Sequence, residues 1–324
     1  MPNASLHHSN PPVKPRLAIV VPCFNEEEVL PETTQRLLML LDQLTEQGLV
    51  AAGSAIYFVD DGSRDRTWAL IEESARQDDR VSGIKLSRNR GHQNALLAGL
   101  FTASGDALVT LDSDLQDDIA VIPDMLAEHK RGIDVIYGVR RDRFTDSRFK
   151  RYTAHAFYRL MGALGAESVY NHADFRLMSR RAVEALKQFR EVNLFLRGLV
   201  PLVGFPSAIV QYTRGERLAG RSKYPLRRML GLALDAVTSF SVVPLRLITL
   251  MGFLVFLLSA AMVVWSLWVR LFTTRAVPGW TSTILPIYLL GGVQILCIGI
   301  IGEYLGKLYQ EAKARPRYII EKIV

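Results

Sequence analysis

The chain has 324 residues, and its 39 Lys and Arg against 32 Asp and Glu leave a formal charge of +7. That length allows about two domains, and 49% hydrophobic with 22% charged residues excludes a disordered chain. Two cysteines exclude a disulfide framework and a Cys-rich zinc site, and 14 Pro with 23 Gly in no repeat exclude collagen-like structure.

Residues 1–15 are polar, carry four prolines and lack the apolar stretch of a signal peptide. They read as a disordered arm ahead of a cytoplasmic domain. Residues 16–223 read as α/β. Strands are predicted over Leu17–Pro22, Ala55–Val59, Val81–Leu86, Ala107–Leu111 and Asp134–Gly138, all short aliphatic or β-branched runs. Helices are predicted over Glu26–Thr45, Asp65–Arg76 and Asn94–Ala103. In the first of them, Leu30, Leu37, Leu38, Leu41 and Leu44 recur at helical spacing. Strands alternating with helices imply crossover connections and a mostly parallel, Rossmann-like sheet. Ligands of such sheets gather at the carboxyl ends of the strands.

Tyr224–Val243 sets Arg227, Arg228 and Asp235 against Leu226, Leu230, Leu234 and Val237. It reads as an amphipathic juxtamembrane helix (224–243) lying on a membrane surface, or more plainly as a surface helix on the α/β domain. Leu247–Val269 and Ala276–Gly302 follow, 23 and 27 residues without a charge. About 20 apolar residues cross a bilayer, so 244–306 is predicted to hold two transmembrane helices rather than two buried core helices. Trp265, Trp268, Trp280 and Tyr304 stand near the ends of these runs, as interfacial anchors would. Seven Lys and Arg lie between Arg214 and Arg246, two in the joining loop and five in the basic tail 307–324. Positive residues stay inside. This predicts a bacterial inner (cytoplasmic) membrane protein with its α/β domain and C-terminus cytoplasmic. Gly252, Gly291, Gly292, Gly299, Gly302 and Gly306 would let helices approach closely, within one chain or between protomers of a homo-oligomer.

Three polar clusters follow predicted strands: Pro22-Cys23-Phe24-Asn25-Glu26-Glu27, Asp60-Asp61-Gly62-Ser63-Arg64-Asp65-Arg66-Thr67 and Asp112-Ser113-Asp114-Leu115-Gln116-Asp117-Asp118. Each alone has a plain reading. Asp-Gly-Ser favours a turn, and Asp65 or Ser63 would cap a helix. Together they gather carboxylates at the strand ends of one sheet, where they repel one another unless something positive binds. Two carboxylates two residues apart suit a hard divalent cation, and Mg²⁺ takes one or two carboxylates plus substrate phosphates. No G-x-x-x-x-G-K-[ST] and no G-x-G-x-x-G is present. That disfavours the kinase, ATPase and dehydrogenase readings. Cys23 and Cys297 read as packing residues.

The motifs Val20-Val21-Pro22-Cys23-Phe24-Asn25-Glu26, Val59-Asp60-Asp61-Gly62-Ser63, Arg88-Asn89-Arg90-Gly91-His92-Gln93, Asp112-Ser113-Asp114-Leu115-Gln116-Asp117 and Asp174-Phe175-Arg176-Leu177-Met178 together resemble the inverting family-2 glycosyltransferases of GT-A fold. Within these the chain looks most like the polyprenyl-phosphate type, the bactoprenol glucosyltransferases and dolichyl-phosphate mannose synthases. The resemblance runs from about Leu17 to the C-terminus. It implies inverting transfer of one sugar to a polyprenyl phosphate such as undecaprenyl phosphate, with UDP-glucose favoured as donor over a GDP sugar. It places Pro22, Phe24, Glu26, Asp60 or Asp61, Arg90, Asp112 and Ser113 around the nucleotide sugar. It places Asp112, Asp114 and Gln116 around Mg²⁺ or Mn²⁺. Catalytic roles fall to Asp112, Asp114 and Asp174, the last as a modest base or orienting carboxylate unless it is merely paired with Arg176 or Arg180. Arg140, Arg151 (or Arg148), Arg217, Ser222 and Lys223 would meet the lipid phosphate, and the alternative for these cations is attraction to anionic headgroups. His92 is open between a donor contact and a plain loop residue. Ile119 stands where many relatives have Pro, and Phe24 where many have Tyr.

Other readings compete. A processive polysaccharide synthase needs Gln-x-x-Arg-Trp, which precedes none of the four Trp. A soluble nucleotidyltransferase is disfavoured by the apolar runs. A non-catalytic membrane scaffold or flippase partner is the alternative from a different class, and the intact Asp112/Asp114 pair argues against it. The expected partners are the nucleotide sugar, the lipid phosphate and the membrane, with no nucleic acid.

Overall fold

The computed structural model describes residues 14–140, 172–191, 196–213 and 280–324, with 245, 248, 250–255, 257, 261, 264, 265, 268 and 272 between them. The chain divides into two compact units, one of Met1–Ala156, Ser168–Lys223 and Pro316–Val324, the other of Phe157–Glu167 and Tyr224–Arg315. The disordered arm (apart from its last two residues), the amphipathic helix 224–243, and Arg148, Arg151, Arg217, Ser222 and Lys223 lie outside the described residues.

The first unit is a mixed eight-stranded sheet. Its strands are β1 (Leu17–Cys23), β2 (Ala55–Asp60), β3 (Val81–Leu86), β4 (Ala107–Thr110), β5 (Val135–Arg140), β6 (His172–Ser179), β7 (Ser207–Tyr212) and β8 (Ile320–Ile323), in the order β7-β5-β6-β4-β1-β2-β3-β8. β1 pairs in parallel with β2 and β4, β2 with β3, and β5 with β7. β6 runs antiparallel between β4 and β5, and β8 antiparallel along β3. All seven residues of β1 are buried, as an aliphatic strand covered on both faces requires.

Helix α1 (Leu30–Glu46) buries Leu30, Leu37, Leu40, Leu41 and Leu44 on one stripe. A Leu fully buried in this way contributes about 1.5–3 kcal/mol relative to an exposed one. It starts four residues later than its sequence suggests. Val29 N and Leu30 N both turn back to Glu26 O, and Glu26 N is held by Thr67 Oγ1 at 2.8 Å, so this segment is a turn. Proline then opens the helix. Helices α2 (Thr67–Gln77) and α3 (His92–Thr102) follow β2 and β3. In α3, a Cβ on Gly99 would lie 2.3 Å from Val20 Cγ1 and 2.8 Å from Val59 Cγ2. Glycine is what lets α3 lie directly on β1 and β2. Helix α4 (Ile122–Lys130) leads into β5, and α5 (Arg180–Leu186) and α6 (Leu196–Leu202) follow β6.

At the start of β5, the buried Asp134 carboxylate accepts from Ser179 Oγ at 2.7 Å and from Arg181 Nε at 2.6 Å. The Arg181 bond, helped by Ser179 and opposed by burial, lowers its pKa. A depressed carboxylate pKa contributes stability that is present above the unfolded value of about 3.9 and lost as pH falls through the folded one. Asp134→Asn should therefore cost about 1–2 kcal/mol at pH 7. The gap in denaturant midpoint between wild type and variant should close on acidification below about pH 4. A gap that is independent of pH would show that the charge is irrelevant there.

In the second unit, α7 (Trp280–Ala312) takes up the second apolar run. Two transmembrane helices are predicted from the sequence, and the structure corrects this. Among the described residues no helix is long and apolar enough to cross a membrane. A charge-free run counts composition only, whereas a span needs one unbroken apolar helix of about 20 residues. The first run is described only at scattered helical positions. The second folds into a helix whose sequence includes Thr281, Ser282, Thr283, Gln294 and repeated glycines and runs on through Glu303, Lys307 and Glu311. The inner-membrane placement and its sidedness rested on those spans and fall with them.

Candidate active site

The first two polar loops fold onto each other. Asn25, in the left-handed region at φ 56, receives Arg64 N on Oδ1 at 2.9 Å, while its own N donates to Ser63 Oγ at 3.0 Å. Glu27 Oε2 accepts from Arg66 N, and Asp65 Oδ2 accepts from Glu27 N. The third member is the loop after β3. Asp61 Oδ1 and Oδ2 accept from Arg90 N and Gly91 N at 2.7 and 2.8 Å. Gly62, at φ 70, lets the loops meet: a Cβ there would sit 2.6 Å from Asn89 N and 2.7 Å from the carbonyl carbon of Arg88.

The two neighbouring aspartates therefore do different things. Asp61 is a clasp between loops. Asp60 is fully buried, accepts from Ser63 N through Oδ1, and keeps Oδ2 without a partner. Burial raises its pKa, against the Ser63 bonds. Removing the clasp with Asp61→Ala should cost about 1–3 kcal/mol. Circular dichroism melting would show it, and an unchanged midpoint would mean that the loops are held by other contacts.

Of the other residues expected around the nucleotide, Phe24 is 43% exposed and stands open for stacking. Pro22 is buried within β1 and paired with Val59, so it shapes the floor rather than lining it. Glu26 is half-buried in the turn before α1, and Arg90 Nε is buried without a partner. Cys23 is buried, and burial pushes its thiol pKa well up, as for an inert packing cysteine.

The acidic loop follows β4. Thr33 Oγ1 donates to Ser113 O at 2.7 Å and pins the loop to α1. Ser113, Gln116 and Asp117 are buried, and Asp114 Oδ1 accepts from Gln116 N at 3.3 Å. Asp112 differs. Although 43% of its side chain is exposed, desolvation by the packed strand ends pushes its carboxyl up to about 6, with Asp117, Asp174 and Asp114 adding repulsion and His92 opposing. Among the described residues no group of three or more His, Cys, Asp or Glu is arranged to hold a metal ion. Asp112 and Asp114 instead offer two carboxylates in one loop, with Asp114 adding to the repulsion on Asp112. That suits Mg²⁺ or Mn²⁺ when a substrate's phosphates complete the shell.

β6 brings Asp174 to the same place. Thr110 Oγ1 donates to Asp174 O and fixes its backbone. Its carboxylate accepts from Arg176 Nη2 at 2.8 Å and pairs with Arg197 at 3.3–3.4 Å, with His92 Nε2 at 3.5 Å. His92 Nε2 is also 3.5 Å from Asp112 Oδ1. Burial works to raise the Asp174 pKa, but His92, Arg197 and Arg176 outweigh it and hold the group well below the usual carboxylate range. Such a carboxylate orients its neighbours and is a poor base. Arg180 goes elsewhere, to Gly105 O and Ala103 O.

Arg140, at the end of β5, donates through Nε to Tyr212 Oη at 3.1 Å and through Nη2 to Asp117 Oδ1 at 3.3 Å. Tyr212 Oη donates to the same Asp117 oxygen. Burial first, then Asp117, push the Tyr212 pKa well up. Sequence reasoning missed Arg197 and Tyr212. Arg197 is carried by a helix of seven residues, too short to show a period, and Tyr212 ends a strand with a polar, alternating face.

A family model described as glycosyl transferase family 2 matches residues 18–187, and one described as the GtrB C-terminal hairpin matches residues 243–308. The chain is 52% identical to an uncharacterized glycosyltransferase of Bacillus subtilis, over 95% of this chain and 92% of that one. It is 41% identical to a prophage-derived bactoprenol glucosyl transferase of Shigella flexneri, over 95% and 98%. Among solved structures, a mannosyltransferase of Pyrobaculum calidifontis in complex with GDP-Man and Mn²⁺ is similar at TM-score 0.45 and 15% identity, over 93% of this chain and 87% of that one. At that level the structural likeness has no bearing on function.

Proposed function

The chain belongs to glycosyl transferase family 2, and from that premise we propose that it transfers one glucosyl group from UDP-glucose to the phosphate of a polyprenyl phosphate. The observation that carries this reading is the cluster at the strand ends, where Asp112 and Asp174 meet across His92. The 41% identity to a bactoprenol glucosyl transferase over nearly the whole chain supports the glucosyl group and the acceptor.

Phe24, beside the clasped loops, offers a stacking face for the base. Asp112 and Asp114, with Gln116 next to them, would hold Mg²⁺ or Mn²⁺, which when bound neutralises charge on the leaving nucleoside diphosphate as a Lewis acid. The acceptor needs little activation. A phosphate monoester loses its second proton near pKa 6, so its oxygen is already nucleophilic at pH 7. That oxygen forms a bond to the anomeric carbon as the bond to the diphosphate oxygen breaks, and no proton has to move. The step inverts the anomeric centre, so an α-linked donor yields a β-linked product. This fits a site whose remaining carboxylate, Asp174, is tied to two arginines rather than poised as a base. Of the residues expected at the lipid phosphate, Arg140 is the one among the described residues; held by Asp117 and Tyr212, its guanidinium suits the acceptor phosphate.

The test is transfer by the full-length protein, offered undecaprenyl phosphate, Mg²⁺ or Mn²⁺ and a panel of labelled nucleotide sugars. A lipid-phase product from UDP-glucose, lost with EDTA, is the expected result. A product from a different donor would replace the sugar assignment, and none from any donor would overturn the reading.

A further inference from the structure

We infer that Arg197 is a phosphate-binding residue of the transfer site. The identity of the phosphates rests on the proposed function, while the choice of residue rests on geometry. The charge of Asp174 is already matched inside the protein by Arg176, which is 2% exposed and 2.8 Å away. Arg197 reaches the same carboxylate in a looser arrangement, with Nε 3.4 Å from Oδ1 and Nη2 3.3 Å from Oδ2. Tight charge-assisted pairs lie at about 2.7–2.9 Å. The Arg197 side chain is 40% exposed.

One carboxylate thus gathers two guanidiniums and an imidazole. A counter-ion role would need only the buried arginine. His92, on the same carboxylate, also lies 3.5 Å from Asp112 Oδ1, so Arg197 stands next to the acidic loop. Leu196 N donates to Gln93 Oε1 at 3.0 Å, which ties the helix carrying Arg197 to the start of α3, one residue beyond His92. The guanidinium is therefore placed in advance, beside the carboxylates assigned to the donor diphosphate. Its planar fork matches phosphate oxygens. Two phosphates meet in this reaction, the donor's diphosphate and the acceptor's monoester, and either supplies that chemistry.

The full-length wild type, Arg197→Ala and Arg197→Lys are titrated with UDP in the presence of Mn²⁺. They are also assayed for KM and kcat with undecaprenyl phosphate in mixed micelles. A rise of about tenfold or more in the Kd for UDP, partly recovered by Lys, would place Arg197 on the donor diphosphate. A similar rise in KM for undecaprenyl phosphate, with the Kd for UDP within about twofold of wild type, would place it on the acceptor. Both constants within about twofold of wild type in folded protein would overturn the inference and leave Arg197 as a second counter-ion for Asp174. If the alanine variant does not fold, the lysine variant decides by the same limits, because it keeps the charge and loses the fork. A wild type that binds UDP but glycosylates no lipid would overturn the acceptor assignment alone. In that case an unchanged Kd for UDP would overturn the inference too.

Discussion

Asp112→Asn should abolish most sugar transfer while leaving the protein slightly more stable. The carboxyl is pushed up to about 6 by desolvation, with three neighbouring carboxylates adding and His92 opposing. A folded pKa above the unfolded value means that the ionised form is disfavoured in the folded state at pH 7. A displacement of about 2 units corresponds to about 3 kcal/mol, but with 43% of the side chain exposed, solvent screening reduces it to about 1 kcal/mol. Asparagine removes that repulsion, so the melting temperature at pH 7.5 should rise by a few degrees, about 2–4 °C. The same change removes one of two carboxylates assigned to the divalent ion. Loss of several kcal/mol of transition-state stabilisation lowers kcat by roughly 10²–10³. Asp114→Asn should lose activity to a similar degree. Stability and activity moving in opposite directions marks a group kept for its chemistry. A variant that loses both would place Asp112 in the scaffold instead.

The strands β1 to β5 are legible in the sequence because most of their positions are buried, so each is a short run rich in aliphatic, aromatic or β-branched residues. The rest of the sheet is not. β6 carries Asp174 and Arg176 at a site where charge is matched by charge, so no hydrophobic pattern announces a strand. β7 alternates polar and half-buried residues, and β8 is four residues within what reads as a basic tail. Among the site residues, the pairing of Asp112 with Asp114 is visible from spacing alone. The division of labour between Asp60 and Asp61 is not. It depends on Gly62 letting the loop after β3 pack close at Arg88 and Asn89, so that Arg90 N and Gly91 N reach the Asp61 carboxylate. Arg197 comes from 23 residues beyond Asp174, a separation that carries no local signal. The apolar runs show the opposite error. Their composition alone suggests membrane spans that no described helix provides.

Asp174→Asn is expected to have the largest effect on stability, and its kinetics separate two roles for the residue. The change leaves Arg176, which is 2% exposed and already has Nη1 without a partner, facing Arg197 with no anion between them. Breaking a buried pair by removing one partner costs about 3–5 kcal/mol, so the denaturant midpoint should fall sharply. Activity should fall with it, because His92 and Arg197 lose the group that orients them. The pH profile carries the discrimination. A carboxylate held well below its usual range by His92, Arg197 and Arg176 accepts a proton poorly at neutral pH. The acid limb of kcat should then follow the second ionisation of the acceptor phosphate, near pH 6. That limb should survive in Asp174→Asn, within about half a unit, whatever the residual rate. If it disappeared from the variant at a concentration where the protein is folded, Asp174 would be acting as the base. If it persists, Asp174 serves the reaction by holding cations in place, and the acceptor phosphate supplies its own nucleophile.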